Sequence, residues 1–194
     1  MNRPRQFDAQ EARAVLTAMF TAHGYGGTSL AMLTNAIGLG KQSLYNAFGD
    51  KQALYLQALD ATAARQAFAR AQAAQAPDGR AALAGLLSDF VARCQHPDPA
   101  VNNCIFSAGL LEGIEEPAIA ERLRQGWQGM KELFQELITR GQADGSIRQN
   151  VDPETAARLM MVVISGLRVT GRAIPDKRDL DAVVHLALGV LDPP

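Results

Sequence analysis

Apolar residues recur every three or four positions along most of the chain, which is the spacing that places side chains on one face of a helix. In the first such segment Val15, Leu16 and Phe20 belong to one stripe, and Gly24 follows it as a helix-ending residue. Alternation of apolar and polar residues, which is the pattern of a half-buried strand, is rare. The pattern therefore predicts an all-α protein.

Start and stop signals divide this pattern into separate helices. Thr28 or Ser29 is expected to cap the second helix and Asp50 the fourth, because short polar side chains accept hydrogen bonds from the first free N–H groups. Gly38 is expected in the turn between the second and third helices, and Pro175 is expected to break the last connection. The predicted helices span residues 9–23, 30–37, 41–48, 51–76, 80–94, 104–113, 117–143, 153–172 and 179–191.

Composition and charge limit the classes of protein that this pattern allows. The chain has 194 residues, 47% hydrophobic and 20% charged, so it can form one or two globular units and is too balanced to be disordered. Nineteen basic and twenty acidic side chains give a net charge of −1, which excludes a uniformly basic surface for nucleic acid. Any such binding is expected to be local, and the positive end of the chain is the amino-terminal one.

Several kinds of site are not expected. No run approaches the roughly 18 apolar residues of a membrane span and no signal core follows the start, so we expect a soluble cytoplasmic protein without a membrane partner. Cys94, Cys104 and three scattered histidines lack metal-ligand spacing, so neither a metal nor another cofactor is expected. The glycine-rich segment 24–27 is too short for a nucleotide-binding loop and no catalytic triad stands out, so we do not expect an enzyme.

The second and third helices predict a helix-turn-helix, in which a short helix enters the major groove of DNA. Leu44 and Phe48 lie four positions apart and are expected to face inward, which leaves a polar face outside. Lysine can meet a guanine edge or a phosphate, glutamine and asparagine can pair with adenine, and hydroxyls and helix starts can hold the DNA backbone. The predicted DNA-binding residues are Thr28, Ser29, Lys41, Gln42, Ser43, Tyr45, Asn46 and Lys51.

Short segments of this region resemble a known family. They are Thr28-Ser29-Leu30 leading to Gly38-Leu39, then Ser43-Leu44-Tyr45, Phe48-Gly49-Asp50-Lys51 and Ala53-Leu54. Together they resemble the amino-terminal signature of tetracycline-repressor-type (TetR) transcriptional regulators, because the spacing, the turn glycine, the tyrosine and the trailing lysine all agree. The likeness covers residues 8–54 and departs from the family's pattern at Gly40, where a serine or threonine cap is usual.

The resemblance implies a transcriptional regulator with two modules. Residues 1–54 would form the DNA-binding domain, its connecting helix continuing to about residue 76, and residues 55–194 a helical effector-binding and dimerisation domain. It also implies a homodimer paired through the last two helices. The function implied is that of a repressor, which a small molecule releases from a palindromic DNA operator.

The last two predicted helices are apolar around much of their circumference, so each needs cover on two sides. One explanation is a four-helix bundle formed with a second subunit. We favour it because recognition of a palindromic DNA site requires two DNA-binding domains. The other explanation is burial within the monomer. The residues concerned are Leu159, Met160, Val163, Ile164 and Leu167 in one helix and Leu180, Val183, Val184, Leu188 and Leu191 in the other.

Aromatic and methionine side chains of the later helices are candidates for the pocket that the resemblance implies. Trp127, Met130 and Phe134 share one face of the long helix, although such side chains more often form ordinary core. Few charges accompany them, which favours an apolar or aromatic effector. The predicted pocket residues are Phe90, Cys104, Phe106, Leu110, Trp127, Met130, Phe134, Met160 and Ile164, with Met161 beside them and Glu112, Arg122 and Arg168 as candidate anchors for a polar group.

Cys104 supports a second hypothesis. It lies at the start of a predicted helix, where unpaired backbone N–H groups lower the pKa of a thiol and favour the reactive thiolate. The chain would then be a thiol-based sensor of electrophiles or oxidants within the same family, with Cys94 as a partner; the alternative is a small buried hydrophobic residue. A hypothesis of another class stays open as well, namely a helical dimeric adaptor without specific DNA binding.

Overall fold

The computed structural model describes residues 8–173 and 176–194, and this part of the chain contains ten helices and no strand. The predicted all-α class is confirmed. The helices are α1 (Ala9–Gly27), α2 (Leu30–Ile37), α3 (Lys41–Phe48), α4 (Lys51–Ala73), α5 (Gly79–Cys94), α6 (Pro99–Asn102), α7 (Ile105–Glu112), α8 (Pro117–Asp144), α9 (Pro153–Ala173) and α10 (Lys177–Gly189). The predicted break at Pro175 lies outside the described residues.

Most helix boundaries agree with the sequence pattern to within three residues. The helix that the pattern missed is α6, because its four residues contain too few positions to show a periodicity. Ser29, and not Thr28, caps α2 by accepting a hydrogen bond from the N–H of Met32. Gly38 ends α2 with a φ of 67°, a conformation that glycine adopts without steric cost.

The helix α1 is interrupted at Gly24, where the sequence pattern predicted its end. Gly24 has φ 74° and ψ −179°, which is not helical, and the chain then makes one further turn up to Gly27. Because the interruption breaks the ladder of backbone hydrogen bonds, the N–H groups of the residues that follow require other acceptors.

Two groups of buried apolar side chains hold the helices together. The amino-terminal group contains Phe20, Leu33, Leu44 and Phe48 of α1, α2 and α3, and it continues into α4, α7 and α8 through the buried residues Tyr55, Leu59, Ile105, Phe106, Ile119 and Leu123. The carboxy-terminal group joins α5, α8, α9 and α10. We call α1, α2 and α3 the reading head. Its core extends beyond residue 54, so the head packs directly on the helices of the second module.

The helices α9 and α10 are apolar on two sides. Met160, Ile164 and Leu167 of α9 and Leu180 and Val184 of α10 are buried in the carboxy-terminal group. On the opposite side, both helices present large apolar side chains to solvent, and we call this set the outer face: Leu159, Val162, Val169, Val183, Leu186 and Val190. Burial within the monomer therefore accounts for only one of the two apolar sides.

None of the described helices has both the length and the apolar character that crossing a membrane requires. Within the same described residues, no three histidine, cysteine, aspartate or glutamate side chains are grouped in a way suited to a metal ion.

Candidate nucleic-acid interface and internal cavity

The helix α3 presents one polar face to solvent. Lys41, Gln42, Ser43 and Asn46 are exposed and Tyr45 is half-buried. On the other side of α3, Leu44 and Phe48 are buried in the core of the reading head, with exposed fractions of 0% and 4%. The predicted division of α3 into an inner and an outer face is therefore present. The buried side chains of the inner face hold the outer face in a fixed orientation.

Contacts within the polar face order its side chains. The amide of Gln42 donates a hydrogen bond to Oδ1 of Asn46 over 3.0 Å, one helical turn away. The Nζ atom of Lys41 lies 5.6 Å from the centroid of the Tyr45 ring. Because the two amides already meet, they form one surface with both donors and acceptors, which is the type of group that recognises adenine in the major groove.

Two predicted DNA-backbone residues lie at helix starts beside this face. Ser29 is exposed at the start of α2. Lys51, the first residue of α4, is half-buried, and its Nζ lies 4.6 Å from the centroid of the Tyr25 ring. The ring limits the freedom of the ammonium group without removing its charge.

The structure corrects the prediction that Thr28 is a DNA-binding residue. Its side chain is wholly buried, and its hydroxyl donates a hydrogen bond of 2.6 Å to the carbonyl oxygen of Gly24. The hydroxyl therefore compensates for the interruption of α1 and is not presented to a nucleic acid. The sequence did not reveal this role, because the need for it arises from the backbone at Gly24.

A cavity of about 600 Å³ lies between α4, α5, α7, α8 and α9. Six of the predicted pocket residues line it, namely Phe90, Cys104, Phe106, Trp127, Met130 and Ile164, and so does Met161. Phe134 and Met160 are instead fully buried in the carboxy-terminal group, and Leu110 is 39% exposed at the surface. Helical periodicity identifies side chains that face inward, but it does not separate those beside a void from those that pack closely.

The polar side chains around the cavity differ from the predicted anchors. Arg168 lines it, with its Cζ atom 5.2 Å from the centroid of the Phe90 ring. Arg122 instead donates a hydrogen bond to Asp60 over 2.6 Å, outside the cavity. Three charged residues that the sequence analysis missed also line the cavity: Arg65, Asp89 and Arg93. Their positions carried no signal, because charged residues on a helix usually mark its solvated face.

Cys104 lines the cavity as the residue that precedes the first turn of α7. Burial alone raises the pKa of its thiol, but the Arg168 guanidinium and hydrogen bonds from Ser107 and Phe106 outweigh burial, so the pKa lies below its usual value. Cys94 differs, because burial raises the pKa of its thiol and it belongs to the carboxy-terminal core. Both cysteines are free thiols.

Comparison with known proteins identifies the family. Residues 14–58 match the model of bacterial regulatory proteins of the tetR family, and residues 105–192 match the carboxy-terminal domain of BetI-type transcriptional repressors. A solved structure of the TetR family transcriptional regulator CifR, a cysteine mutant complexed with 26-bp double-strand operator DNA, is 33% identical, with a TM-score of 0.86 over 98% of this chain and 100% of its own. The chain belongs to the TetR family of transcriptional regulators.

Two further relatives agree with this assignment. YezE of Bacillus subtilis (strain 168), an uncharacterized HTH-type transcriptional regulator, is 24% identical over 99% of this chain and 100% of its own. ComR of Escherichia coli (strain K12), an HTH-type transcriptional repressor, is 28% identical over 88% of this chain and 82% of its own. The similarity to transcriptional regulators, first seen in the helix-turn-helix region, therefore extends over most of this chain.

In this TetR-family protein, Glu112 connects the second module to the reading head. Its carboxylate accepts hydrogen bonds from the N–H of Tyr25 over 3.1 Å and from the N–H of Gly26 over 2.8 Å. These are donors that the interruption at Gly24 leaves free. Glu112 was a predicted anchor for an effector, but the structure places it at the last residue of α7 as a cap for the final turn of α1.

Asn103 adds a second contact between the modules. Its side-chain amide donates a hydrogen bond to the carbonyl oxygen of Ala22 over 3.2 Å. Asn103 lies two residues before the start of α7 and Glu112 is its last residue, and both contact the carboxy-terminal part of α1. Residues 103–112 therefore both carry Cys104 on the cavity wall and form hydrogen bonds to the reading head.

We predict that Gly24→Ala lowers the free energy of unfolding by about 1–3 kcal/mol, because an alanine is strained at this backbone conformation. Its Cβ would also lie 1.8 Å from an oxygen of Glu112. Urea denaturation measures the change. Gly26→Ala is the matched control, since its Cβ would meet no atom closer than 3.5 Å. Equal stability of the two variants would show that Gly24 is not required at this position.

Proposed function

We propose that this TetR-family regulator is a repressor that binds a palindromic operator as a homodimer and is released when a small molecule occupies the cavity. The observation that carries the proposal is the polar face of α3, which the buried side chains of Leu44 and Phe48 hold on the core. CifR was solved with operator DNA and ComR is named a repressor, which supports the same function here. The proposal assigns the chain no catalytic activity and places it in the cytoplasm, where operator DNA is found.

The residues of the interface have separate roles in this proposal. Gln42 and Asn46 read base edges, and Lys41 meets a guanine edge or a phosphate. The phosphate contacts come from four residues around them: Ser29, Ser43, Tyr45 and Lys51. The buried hydroxyl of Thr28 has no DNA contact and keeps the interrupted end of α1 in place.

We predict that Asn46→Ala lowers the preference for one base at one operator position by about 1–3 kcal/mol of binding free energy. Lys51→Ala, in contrast, is expected to weaken binding to all operators by a similar factor and to lower the salt dependence of binding. Operators selected from random DNA are measured by fluorescence anisotropy at several salt concentrations. Gln75→Ala, at an exposed position after the end of α4, is the control and is expected to bind like the unmodified protein.

Equal effects of Asn46→Ala and Lys51→Ala would contradict the division of roles. If no sequence is selected above competitor DNA, the regulator proposal fails in favour of a helical adaptor.

The outer face supports assembly as a dimer. Val183 and Leu186 of α10 and Val190, the residue after its end, recur at helical spacing, and Leu186 is 74% exposed in the isolated chain. The helix α9, which packs against α10, also exposes the apolar side chains of Leu159, Val162 and Val169. Burial of this surface against a second copy stabilises by about 25 cal/mol per Å² of apolar area. A four-helix bundle of two α9 and two α10 helices would bring two reading heads into one particle.

We predict that Leu186→Lys converts the dimer to a monomer and weakens operator binding at least tenfold, because the bundle would bury an unpaired charge. Light scattering after size exclusion gives the mass, and anisotropy gives the affinity. Leu111→Lys is the control, since Leu111 is 86% exposed on α7, away from the outer face. A particle of unchanged mass, or an unmodified protein that is already monomeric, would contradict the proposed dimer.

A second candidate function is favoured by one observation: Cys104 lines the cavity and its pKa is lowered. The regulator would then respond to electrophiles. The Cys104 thiolate would add to the β-carbon of an α,β-unsaturated carbonyl compound, forming a C–S bond. The electron pair of the C=C bond would move to the α-carbon, which takes a proton from water and leaves hydroxide, so that the product is a neutral thioether adduct.

We predict that an α,β-unsaturated carbonyl compound weakens operator binding of the unmodified protein and leaves Cys104→Ser unaffected, with Cys94→Ser as the reactive control. Since only the thiolate adds, the rate should reach half of its maximum at a lower pH than the rate of an unperturbed cysteine thiol, because the pKa of Cys104 is lowered. Mass spectrometry of the adduct across pH measures this midpoint. A release that survives in Cys104→Ser, or a midpoint at or above the usual value, would remove this candidate.

A further inference from the structure

The charged side chains around the cavity are unbalanced. Arg65, Arg93 and Arg168 line it together with a single carboxylate, that of Asp89. Among the described residues, no ion pair within 4.0 Å involves any of these four side chains. The cavity wall therefore carries more positive than negative charge, and it would still do so with Cys104 as a thiolate.

Six arginines elsewhere in residues 55–194 have carboxylate partners, and Arg140 donates instead to the carbonyl oxygens of Ala73 and Ala76. Arg80 lies 2.5 Å from Asp192, and Arg122 lies 2.6 Å from Asp60. Around the cavity, in contrast, burial and the charges of Arg168 and Arg65 lower the pKa of the Arg93 guanidinium. Like charges that converge without a partner disfavour one another, and a bound anion would relieve this repulsion.

Arg168 is the member of this group that the structure holds most firmly. It is half-buried, and its guanidinium lies over the ring of Phe90 at 5.2 Å. A guanidinium stacked in this way keeps its N–H groups at the edge of the plane, where they can donate two parallel hydrogen bonds to a carboxylate. Arg93 and Arg65 are more exposed, so they lie at the solvent side of the cavity.

The rest of the wall is suited to an apolar body. Phe106, Trp127, Met130 and Ile164 face the cavity from α7, α8 and α9. A volume of about 600 Å³ is within the range of sites for drug-sized molecules. The cavity thus has an apolar part and a cationic part, which is the pattern that an amphipathic anion complements.

We infer that the cavity binds an amphipathic carboxylate, whose apolar body packs near Trp127 and Phe106 and whose carboxylate pairs with Arg168, assisted by Arg93. The inference rests on the proposed function in that it names the class of effector for the same cavity. It adds an anionic group to the apolar or aromatic body expected from the sequence.

Trp127 provides a direct measurement, because it is the one tryptophan in the sequence and lines the cavity. Its fluorescence is titrated, in the full-length protein without DNA, with matched pairs of an aliphatic and an aromatic kind: octanoate against octanamide, and 4-phenylbutyrate against 4-phenylbutanamide. Within each pair the apolar body is the same and the charge differs. We expect at least one carboxylate to bind tenfold or more tightly than its amide.

Arg168→Gln should remove this advantage and leave the Kd of the amide within twofold. Arg168→Lys keeps the charge and should keep part of the advantage, which separates loss of charge from loss of folding. Arg70→Gln is the matched control, because Arg70 lies on α4 outside the cavity and pairs with Glu136 at 3.4 Å. It should behave like the unmodified protein.

The inference is wrong if no carboxylate binds more tightly than its amide, or if Arg168→Gln weakens both members of a pair equally. Operator binding, measured separately, distinguishes this failure from failure of the proposed function. A carboxylate that binds with the expected preference but leaves operator affinity unchanged would support the ligand class and contradict its role as effector.

Discussion

The carboxylate of Glu112 accepts two backbone hydrogen bonds from the interrupted end of α1, and it thereby links the reading head to the end of α7. The interruption at Gly24 creates the need, since a continuous helix would have used the N–H groups of Tyr25 and Gly26 itself. The glycine also makes room, because any Cβ at this position would collide with the carboxylate. An acceptor from the second module thereby completes a helix of the first.

The helix α7 joins this contact to the cavity. Cys104 and Ser107, at its beginning, line the cavity, and Glu112 is its last residue. Eight residues span about 12 Å as a rigid helix. A ligand that displaces the beginning of α7 would therefore also shift Glu112 and its hydrogen bonds to the reading head. Tyr55 of α4 also donates a hydrogen bond to the carbonyl oxygen of Ile105, so the connecting helix is attached to the same segment. A cavity ligand needs only to favour one arrangement of these contacts over another.

Local patterns predicted the fold and the outer side of α3 well, because both follow from spacing within one helix. Leu44 and Phe48 are four positions apart, and no distant residue changes which side they face. The contact of Glu112 with Tyr25 joins residues 87 positions apart, and periodicity contains no information about such pairs. Thr28 was misplaced for a related reason, since its burial follows from the backbone of Gly24. The arginines around the cavity were missed because a charge on a helix is ordinarily solvated.

We propose that α7 transmits occupancy of the cavity to the reading head through Glu112. The most direct test is the ratio of operator Kd values with and without a saturating cavity ligand, compared between the unmodified protein, Glu112→Gln and the control Glu115→Gln, which alters an exposed carboxylate beyond the end of α7. We expect a ratio of at least tenfold in the unmodified protein and the control, and a fall to about twofold in Glu112→Gln with ligand affinity unchanged. A ratio in Glu112→Gln equal to that of the unmodified protein would contradict the claim.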